Sequence, residues 1–419
     1  MKLSEDLAWR GLIKDKTFAD AGWLDQPRKF YLGIDASTDS LTIGNLAVIM
    51  LARRLLEAGW GTVLLAGGAT SLVGDPGGKT EERELKSKEE IFKNVESIKP
   101  QIEKLFAGKP HEMVNNLDWL GDLKYLDFLR DVGKHYPMAD LMQREFVGTR
   151  MGEAGSGISY AEFSYSLLQG YDYWWLFKNK GVELQIGASD QWGNILSGVA
   201  LVRKKEGKEV HALSMPLVVN KETGVKFGKS EAGAIWLDPA KTTPTQMFQF
   251  WVNTPDSEVE EYLKIFTLLS KEEIEQVMEQ QNADLSKRTA QYLLADKVTS
   301  LVHGGPKGGI ASDITKYLTS QVSITEASAE DIRMIKEELP AVSIGSRSGI
   351  WDPSIVGALV AARLAPSNSE ARRLLESGAI YINGQSVSRE SFEEGDFQNG
   401  RLLLRRGKAF KDSALVELE

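Results

Sequence analysis

An α/β protein is the fold class that the sequence predicts: a parallel sheet wrapped by helices, then an α-helical domain and a small α+β module. Between residues 29 and about 220, apolar runs typical of strands alternate with helical stretches. After residue 236 the apolar spacing becomes helical, and near the end of the chain an Asn-Gly pair indicates a tight hairpin. At 419 residues the chain is long enough for two or three such domains.

The predicted parallel sheet depends on four apolar runs, at residues 29–34, 62–66, 183–186 and 213–219. The first run leads into a helical pattern, and Gly59 stands where that helix is expected to end in a left-handed cap. Residues from about 115 to 180 carry mainly helical patterns and are predicted to form a helical insertion. We place this first domain at residues 1–235.

The second half of the chain is predicted to contain a helical domain at residues 236–330. Ser270 to Glu273 has the composition of a capping box, and the run GGPKGG at 304–309 is expected to break a helix locally. Turn-forming residues from 343 to 352 place a linker at 331–351. Residues 352–419 are then an α+β module with two helices and a hairpin turn at Asn383-Gly384.

Composition excludes several classes of site. The absence of cysteine rules out disulfides, thiolate zinc sites and a cysteine nucleophile, and the four histidines have no ligand spacing, so a required metal is expected to arrive with a nucleotide. The first residues lack the apolar core of a signal peptide, and no apolar run approaches the roughly 20 residues of a membrane span. We therefore expect a cytoplasmic protein without a membrane partner. Its net charge of −9 confines any RNA contact to basic patches.

Two segments carry the chemistry. The helix-entrance segment, DASTDSLTIGNL at residues 35–46, follows a predicted strand and opens a helix, where unpaired N–H groups favour a phosphate. Gly44, one turn into that helix, leaves room for a flat purine or ribose. The lysine loop, VKFGKS at residues 225–230, presents two ammonium groups three residues apart. Each segment alone is compatible with an ordinary turn; together they indicate a site for a polyphosphate.

Two glycine-rich runs come close to a phosphate-binding P-loop without matching it. The run at residues 74–80 has Val73 where the motif needs glycine, and the run at 224–230 has four positions, not five, between its outer glycine and Lys229. A P-loop hydrolase is therefore the weaker hypothesis.

The pairing of these segments resembles class I aminoacyl-tRNA synthetases, and the bacterial tyrosyl type in particular. Further matching motifs, in chain order, are GGATSLVGDPGGK, NNLDW, FLRDVGKH, EFSYSLLQGYD, LQIGASDQWGN and FQFWVNT. The resemblance covers residues 30–419 and implies a Rossmann-like catalytic domain, with a tail like the RNA-binding module of a ribosomal small-subunit protein. It implies a homodimer that uses ATP with Mg²⁺, tyrosine and tRNA(Tyr), the helical insertion forming the dimer interface, and no structural metal.

The implied reaction is attack of the tyrosine carboxylate on the α-phosphorus of ATP, followed by transfer of the tyrosyl group to a terminal ribose hydroxyl of tRNA. No dedicated base is needed, so catalysis is expected from positioning and from cations that meet the charge on the leaving pyrophosphate. The resemblance implies these catalytic residues: Lys226, Lys229, Lys79, Arg83, Thr42 and Asn45. Thr42 and Asn45 stand where the family usually has two histidines, so we expect altered rate constants and retained activity.

The resemblance also implies two sets of binding residues. Tyr31 and Asp172 are expected to receive the phenolic hydroxyl, and the other tyrosine-binding residues are Asp75, Tyr165, Gln169, Gln185 and Gln191. The implied ATP-binding residues are Gly33, Asp35, Ser37, Gly44, Asp190, Trp192, Lys226, Phe227, Lys229 and Ser230.

The chain's end contains a basic stretch without acidic residues at 401–411, which is either a solvated strand face or an RNA contact. The candidate tRNA-binding residues are Arg372, Arg373, Arg401, Arg405, Arg406 and Lys408.

Two alternatives remain open. The tetrapeptide TIGN at residues 42–45 resembles the tryptophanyl branch, although an indole has no hydroxyl for Tyr31 and Asp172. The second alternative is a non-catalytic RNA-binding protein that keeps the same fold. The missing histidines support it, and the presence of both loop lysines argues against it.

Overall fold

A computed structural model describes most of the chain. The described residues are 1–76, 85–142, 147–148, 157–219, 229–230, 233–318, 322–345, 354–407 and 412–418. They form two compact units. The first unit is Met1–Asp238 with Glu261–Ser270, and the second is Pro239–Glu260 with Lys271–Glu419.

The first unit is built on a six-stranded sheet with the order β1-β6-β5-β2-β3-β4. Its strands are β1 (Asp15–Lys16), β2 (Lys29–Asp35), β3 (Gly61–Gly67), β4 (Glu112–Asn115), β5 (Leu184–Ala188) and β6 (His211–Met215). Strands β2 to β6 pair in parallel, and only β1 is antiparallel to its neighbour. This confirms the predicted parallel sheet, whose carboxyl ends meet at one edge and so bring distant segments together.

Helices cover this sheet. They are α1 (Leu3–Trp9), α2 (Ile43–Glu57), α3 (Thr70–Val73), α4 (Lys88–Leu105), α5 (Leu117–Leu120), α6 (Tyr125–Asp131), α7 (Met138–Met142), α8 (Tyr160–Lys180) and α9 (Trp192–Glu206). Helix α2 buries Leu46, Ile49 and Leu55 completely. It ends as predicted before Gly59, which has a φ of 89° that other residues rarely adopt. Among the described helices of the chain, none combines the length and apolar character needed to cross a bilayer.

Buried charged side chains fix the segment Glu261–Ser270 within the first unit. Arg54, on the last turn of α2, donates to the carbonyl oxygens of Lys264 (2.9 Å) and Thr267. Arg10 donates to the carbonyl of Lys264 over 3.0 Å and pairs with Asp6 over 2.8 Å. Burial lowers the pKa of Arg54 to about 9. The guanidinium groups thus satisfy carbonyls at the end of the helix that contains residue 264.

The second unit begins with helices, as predicted. They are α10 (Pro244–Val252), α11 (Val259–Phe266, shared with the first unit), α12 (Lys271–Ala283), α13 (Thr289–His303), α14 (Gly305–Leu318) and α15 (Ala329–Glu338). Helix α12 starts directly after Ser270, where the capping box was expected. The expected break at GGPKGG is present at Gly304, whose φ is 99°: α13 ends at His303 and α14 starts at Gly305, so the rest of the run is helical. Pro306 lies in the first turn, where a missing N–H costs nothing.

A five-stranded sheet with the order β11-β10-β12-β13-β9 completes the second unit. Its elements are β9 (Ala341–Ile344), α16 (Ile355–Ala361), α17 (Asn368–Glu376), β10 (Ile380–Ile382), β11 (Gln385–Val387), β12 (Arg401–Arg406) and β13 (Ser413–Leu418). The predicted hairpin turn is present: Asn383 and Gly384 have φ values of 47° and 85°, as its turn type requires.

The interval predicted as a linker, 331–351, holds most of α15 and the whole of β9, which pairs in parallel with β13. The two faces of this sheet pack differently. Leu402 and Leu404 point into the core formed with α16 and α17, whereas Leu403 and Leu415 pack with α14 and α15. The alternation along β12 therefore attaches the module to the helices before it.

Candidate active site

The helix entrance and the chain that follows the lysine loop are hydrogen-bonded to each other. The N–H of Ile43 donates to the carbonyl of Ile235 over 3.1 Å, and the N–H of Leu237 donates to the carbonyl of Leu41 over 2.8 Å. Just before this contact lies a short hairpin of β7 (Lys229–Ser230) and β8 (Gly233–Ala234), in which Lys229 is paired with Ala234. The backbone at the end of the lysine loop, Lys229–Ser230, is therefore paired with the chain that joins the helix entrance.

Several of the named site residues cannot be located further. Lys79, Arg83, Lys226, Phe227 and Lys408 lie outside the described residues, and so do the side chains of Lys229 and Ser230.

At the helix entrance, the side chain of Asn45 is hydrogen-bonded to Thr42. The N–H and the hydroxyl of Thr42 both donate to Oδ1 of Asn45, over 2.9 and 3.0 Å. Gly44 is exposed beside them, Ser37 is partly exposed, and Gly33 is an exposed position on β2. The entrance to α2 thus offers neutral hydrogen-bonding groups and an open backbone surface.

A buried carboxylate lies on α8. Asp172 is 2% exposed, and it accepts hydrogen bonds from Trp119 Nε1 to Oδ1 (2.7 Å) and from Asn116 Nδ2 to Oδ2 (3.0 Å). Burial raises the pKa of Asp172 to about 7 against the opposing effect of these two donors. Trp119 is itself held by stacking on Trp175, with ring centroids 4.1 Å apart. The carboxylate therefore has a fixed orientation.

Tyr31 brings a second polar group into this region from β2. Its side chain is 1% exposed, and its ring packs edge-on against Tyr173 at 5.3 Å. Its hydroxyl makes no hydrogen bond within the described residues. Burial, with the charge of Asp172 nearby, raises the pKa of Tyr31 well above its ordinary value, so the group is a neutral hydroxyl. A buried hydroxyl of this kind requires a partner that a ligand can supply.

A chain of hydrogen bonds links Asp172 to the end of β2. Asn116 also donates to Thr70 Oγ1 over 3.0 Å, and the Thr70 hydroxyl donates to Asp35 Oδ1 over 3.0 Å. The hydroxyl of Tyr165 donates to Asp35 Oδ2 over 2.7 Å. Asp35 packs so closely on β3 that a Cβ at Gly67 would lie 2.4 Å from its Oδ1. Side chains from β2, α3, the β4–α5 turn and α8 thus meet in one network.

A second carboxylate, Asp75, follows α3 and is 7% exposed. Its Oδ2 accepts from Nε2 of Gln191, and its Oδ1 accepts from Nδ2 of Asn194 over 3.3 Å. Gln185 is buried on β5, and its Oε1 has no partner among the described residues. Gln169 and Trp192 are half-buried, whereas Asp190 is exposed.

Four side chains of this network carried no assigned role in the sequence interpretation: Thr70, Asn116, Trp119 and Asn194. Each lies inside a motif that was recognised there, in GGATSL, NNLDW or DQWGN. The signal that could have identified these four residues was therefore a polar side chain inside a motif that had already been recognised.

The basic stretch of the C-terminal module is largely neutralised within the chain. Arg401 pairs with Glu417 over 3.1 Å, and Arg406 pairs with Asp412 over 3.1 Å. Arg405 lies over the ring of Tyr381 at 4.9 Å. Arg372 and Arg373 on α17 also form ion pairs, with Glu390 and Glu370, but their side chains are 52% and 75% exposed.

The parallel sheet, with a helix entrance at its carboxyl edge that is hydrogen-bonded to residues 235–237, is the arrangement of a class I aminoacyl-tRNA synthetase. The family model described as tRNA synthetases class I (W and Y) matches residues 25–316, and the chain belongs to this family. Residues 331–411 match the model described as tyrosine–tRNA ligase SYY-like C-terminal domain.

The relatives agree with this membership over nearly the full length. The chain is 42% identical to tyrosine–tRNA ligase 1 of Bacillus subtilis (strain 168), covering 97% of each protein. It is 42% identical to tyrosine–tRNA ligase of Geobacillus kaustophilus (strain HTA426), covering 97% of this chain and 98% of the relative. A C-terminally truncated mitochondrial tyrosyl-tRNA synthetase of Aspergillus nidulans superposes with a TM-score of 0.68 at 33% identity, over 76% of this chain and 94% of that one.

Proposed function

We propose that this chain activates tyrosine with ATP to tyrosyl-adenylate and pyrophosphate, and then transfers the tyrosyl group to the terminal adenosine of tRNA(Tyr). The observation that carries this choice of amino acid is the buried Asp172, oriented by Asn116 and Trp119 and accompanied by the Tyr31 hydroxyl. A phenol can donate to the carboxylate and accept from the hydroxyl. The indole ring of tryptophan has no hydroxyl group that could make both hydrogen bonds, so the site disfavours tryptophan.

Discrimination follows from the cost of unpaired buried groups. Phenylalanine in the same place would leave Asp172 and Tyr31 without their partner, and both are almost fully buried. Tyrosyl-tRNA synthetases are themselves a standard example of rejection by a missing hydroxyl. For the rest of the amino acid, we assign the ammonium group to Asp75, Tyr165, Gln169 and Gln185, and the carboxylate to the neighbourhood of Gln191.

For ATP, we assign the floor of the site to the end of β2 and the helix entrance, with the ribose near the start of α9. The residues concerned are Gly33, Asp35, Ser37, Gly44, Asp190 and Trp192. The open backbone at Gly44 and Gly33 supports this assignment, because a flat base or sugar needs a surface without side chains.

The first chemical step requires no base, since the amino-acid carboxylate is already ionised at neutral pH. We assign the stabilisation of the leaving pyrophosphate to Lys226 and Lys229 of the lysine loop, to Lys79 and Arg83, and to Mg²⁺ that arrives with ATP. Thr42 and Asn45 contribute neutral hydrogen bonds at the helix entrance. The hydrogen bonds between residues 41–43 and 235–237 support this arrangement, because they bring the lysine loop's attachment point to the helix entrance.

For the remaining partners, we propose a homodimer and tRNA contacts on the C-terminal module. Seven of the fourteen large apolar side chains that are exposed in the described part of the chain fall between residues 117 and 160, in the helical insertion. We divide the chain into a catalytic domain to residue 235, a helical domain from 236, and a module that includes β9. The cytoplasm is the proposed compartment, as for translation enzymes of bacteria.

The decisive experiment is exchange of labelled pyrophosphate into ATP by the purified chain with Mg-ATP. Tyrosine should support exchange, and tryptophan and phenylalanine should support far less. Exchange with tryptophan in preference to tyrosine would assign the chain to the tryptophanyl branch. No exchange with any of the twenty amino acids would make it a non-catalytic relative.

A further inference from the structure

Asn194 is hydrogen-bonded to two side chains with different proposed roles. Asp75 is assigned to the ammonium group of the amino acid, and Gln191 to its carboxylate. The Nδ2 of Asn194 lies 3.3 Å from Asp75 Oδ1 and 3.2 Å from Gln191 Oε1, and Gln191 Nε2 donates to Asp75 Oδ2. The three side chains therefore form a closed ring of hydrogen bonds. Asn194 is 5% exposed and Asp75 is 7% exposed, so the hydrogen bond between these two side chains is shielded from competing water, whereas Gln191 is half-buried.

The ring connects separate elements of the fold. Asp75 follows α3, Gln191 ends a short 3₁₀ turn at Ser189–Gln191, and Asn194 lies in the first turn of α9. An asparagine amide has two N–H donors, and both are used here, one for each neighbour. Because Asn194 donates to Oε1 of Gln191, the Gln191 amide must turn its Nε2 towards Asp75. Asn194 thus holds one oxygen of Asp75 directly, whereas Gln191 is also held by its own hydrogen bond to the other oxygen of Asp75.

The chemistry of the donors matters as well as their geometry. The donors from Gln191 and Asn194 are neutral amides, so these two hydrogen bonds fix the carboxylate without cancelling its charge. A lysine or arginine in place of Asn194 would pair with the carboxylate and compete with a cationic ligand. A carboxylate held in this way is suited to an ammonium group.

We propose that Asn194 is a positioning residue that aims the Asp75 carboxylate at the ammonium group of the amino acid. This inference rests on the proposed function, in which Asp75 binds that ammonium group. Asn194 itself does not contact the substrate. Its removal should therefore weaken only those ligands that carry an ammonium group, because Gln191 keeps its own hydrogen bond to Asp75 and with it its orientation.

Three ligands separate this role from a general structural one. Tyrosine carries the phenol, the ammonium and the carboxylate; tyramine lacks the carboxylate; and 3-(4-hydroxyphenyl)propionate lacks the ammonium. Equilibrium binding to the full chain is measured for each. With Asn194→Ala, affinity for tyrosine and tyramine should fall about ten- to a hundredfold, as for a lost hydrogen bond to a charged group. Affinity for the propionate should stay within about twofold. An equal loss for all three ligands would overturn the proposal.

Controls come from the same helix and the same pocket. Ser197, one turn further along α9, is equally buried and bonds back to the Gly193 carbonyl, so Ser197→Ala should leave all three affinities unchanged. In an Asp75→Asn background, Asn194→Ala should have no further effect on tyrosine binding; an undiminished effect there would contradict the proposal. If Asn194→Ala does not fold, Asn194→Ser, which keeps a shorter donor, should give an intermediate loss confined to the two ammonium ligands.

Binding by the wild-type protein separates a failure of the proposed function from a failure of the role proposed for Asn194. Failure of the unaltered chain to bind tyrosine, or to prefer it over the propionate, would overturn the proposed function. Normal binding by the wild type together with an unchanged preference in Asn194→Ala would overturn the role of Asn194 alone.

Discussion

Asn116 and Asp172 are 56 residues apart in the chain, yet the Asn116 amide donates to the Asp172 carboxylate over 3.0 Å in the interior of the first unit. The same amide group continues to Thr70, and through Thr70 to Asp35. Asn116 therefore connects Asp172, the carboxylate proposed to recognise the phenol, with the end of β2. Asn116 is fully buried, so its hydrogen bonds are protected from exchange with water.

Replacing Asn116 by alanine should reduce the preference for tyrosine over phenylalanine. The phenol depends on a correctly oriented Asp172, and loss of one charge-assisted donor is worth about 1.5–3 kcal/mol. Tyrosine binding should weaken about ten- to a hundredfold, whereas binding of phenylalanine, which makes no bond to Asp172, should change little. Competition binding with both amino acids measures the ratio. A variant that loses affinity equally for both would show that Asn116 supports only the shape of the pocket.

The pKa of Asp172 predicts how the ligand-free protein depends on pH. Burial raises this pKa from 3.8 to about 7, so between those values the folded state keeps a proton that the unfolded state has lost. Stability from this group is therefore present below pH 4 and is lost as the pH rises through 7, by up to about 1.4 kcal/mol per pH unit. Urea unfolding of wild type and Asp172→Asn at pH 5 and pH 8 tests this. The free energy of unfolding of Asp172→Asn relative to the wild type should be higher at pH 8 than at pH 5. An equal difference at both pH values would contradict the assigned pKa.

How far the sequence predicted the fold depended on the strength of local patterns. The runs that became β2, β3 and β5 were found within one to two residues at most ends, because they are continuous apolar segments between clear breaks. The short strands β1 and β9 were missed, since two and four residues are too few for a period, and they exist only through pairing with β6 and β13. The sequence located the helix break within residues 304–309 but not the residue at which α14 starts, because Gly and Pro are poor helix formers inside a helix yet acceptable in a first turn.

In the site, too, the sequence identified residues in recognised motifs but not the roles that depend on contacts between distant parts of the chain. Tyr31 and Asp172 were expected to act together, and both are buried in one region of the first unit. Thr70, Asn116, Trp119 and Asn194 were not assigned roles, because their importance lies in hydrogen bonds across 46 or more residues or to side chains on other elements. No spacing rule records such contacts. The partners of Arg401 and Arg406 were likewise invisible until β12 and β13 were paired.

Replacing Lys229 by alanine should slow adenylate formation about a hundred- to a thousandfold and leave tyrosine affinity nearly unchanged. The expected reason is that the ammonium group meets charge that develops on the leaving pyrophosphate, which the bound amino acid does not carry. Single-turnover adenylate formation gives the rate, and equilibrium binding gives the affinity. Lys208→Ala provides the control, because this exposed lysine lies between the end of α9 and the start of β6, at the amino end of that strand. An unchanged single-turnover rate in Lys229→Ala would exclude this lysine from the mechanism.

The arginines of α17 should contribute more to tRNA binding than those of β12. The side chains of Arg372 and Arg373 are mostly exposed and have only surface ion pairs, which are worth little and are easily exchanged for phosphate. Arg401 is tied to Glu417 between two strands. Double replacement of Arg372 and Arg373 by alanine should weaken tRNA binding and reduce the slope of log K against log salt by roughly one to two. Arg401→Ala is the comparison; a larger loss of slope in that variant would place the RNA on β12.

Introducing a charge into the helical insertion should separate the proposed dimer. Leu126 on α6 is 76% exposed, and Tyr125, Leu129, Met138 and Tyr160 are exposed in the same stretch of chain. An apolar surface of this extent is expected to be covered, and Leu126→Asp would place a charge within the interface at a cost of several kcal/mol. Sedimentation velocity should show a monomer for this variant and a dimer for the wild type. Phe92 on α4 is also exposed, by 64%, but lies outside the insertion, so Phe92→Asp should remain a dimer. If Phe92→Asp dissociates and Leu126→Asp does not, the subunits associate through α4 instead.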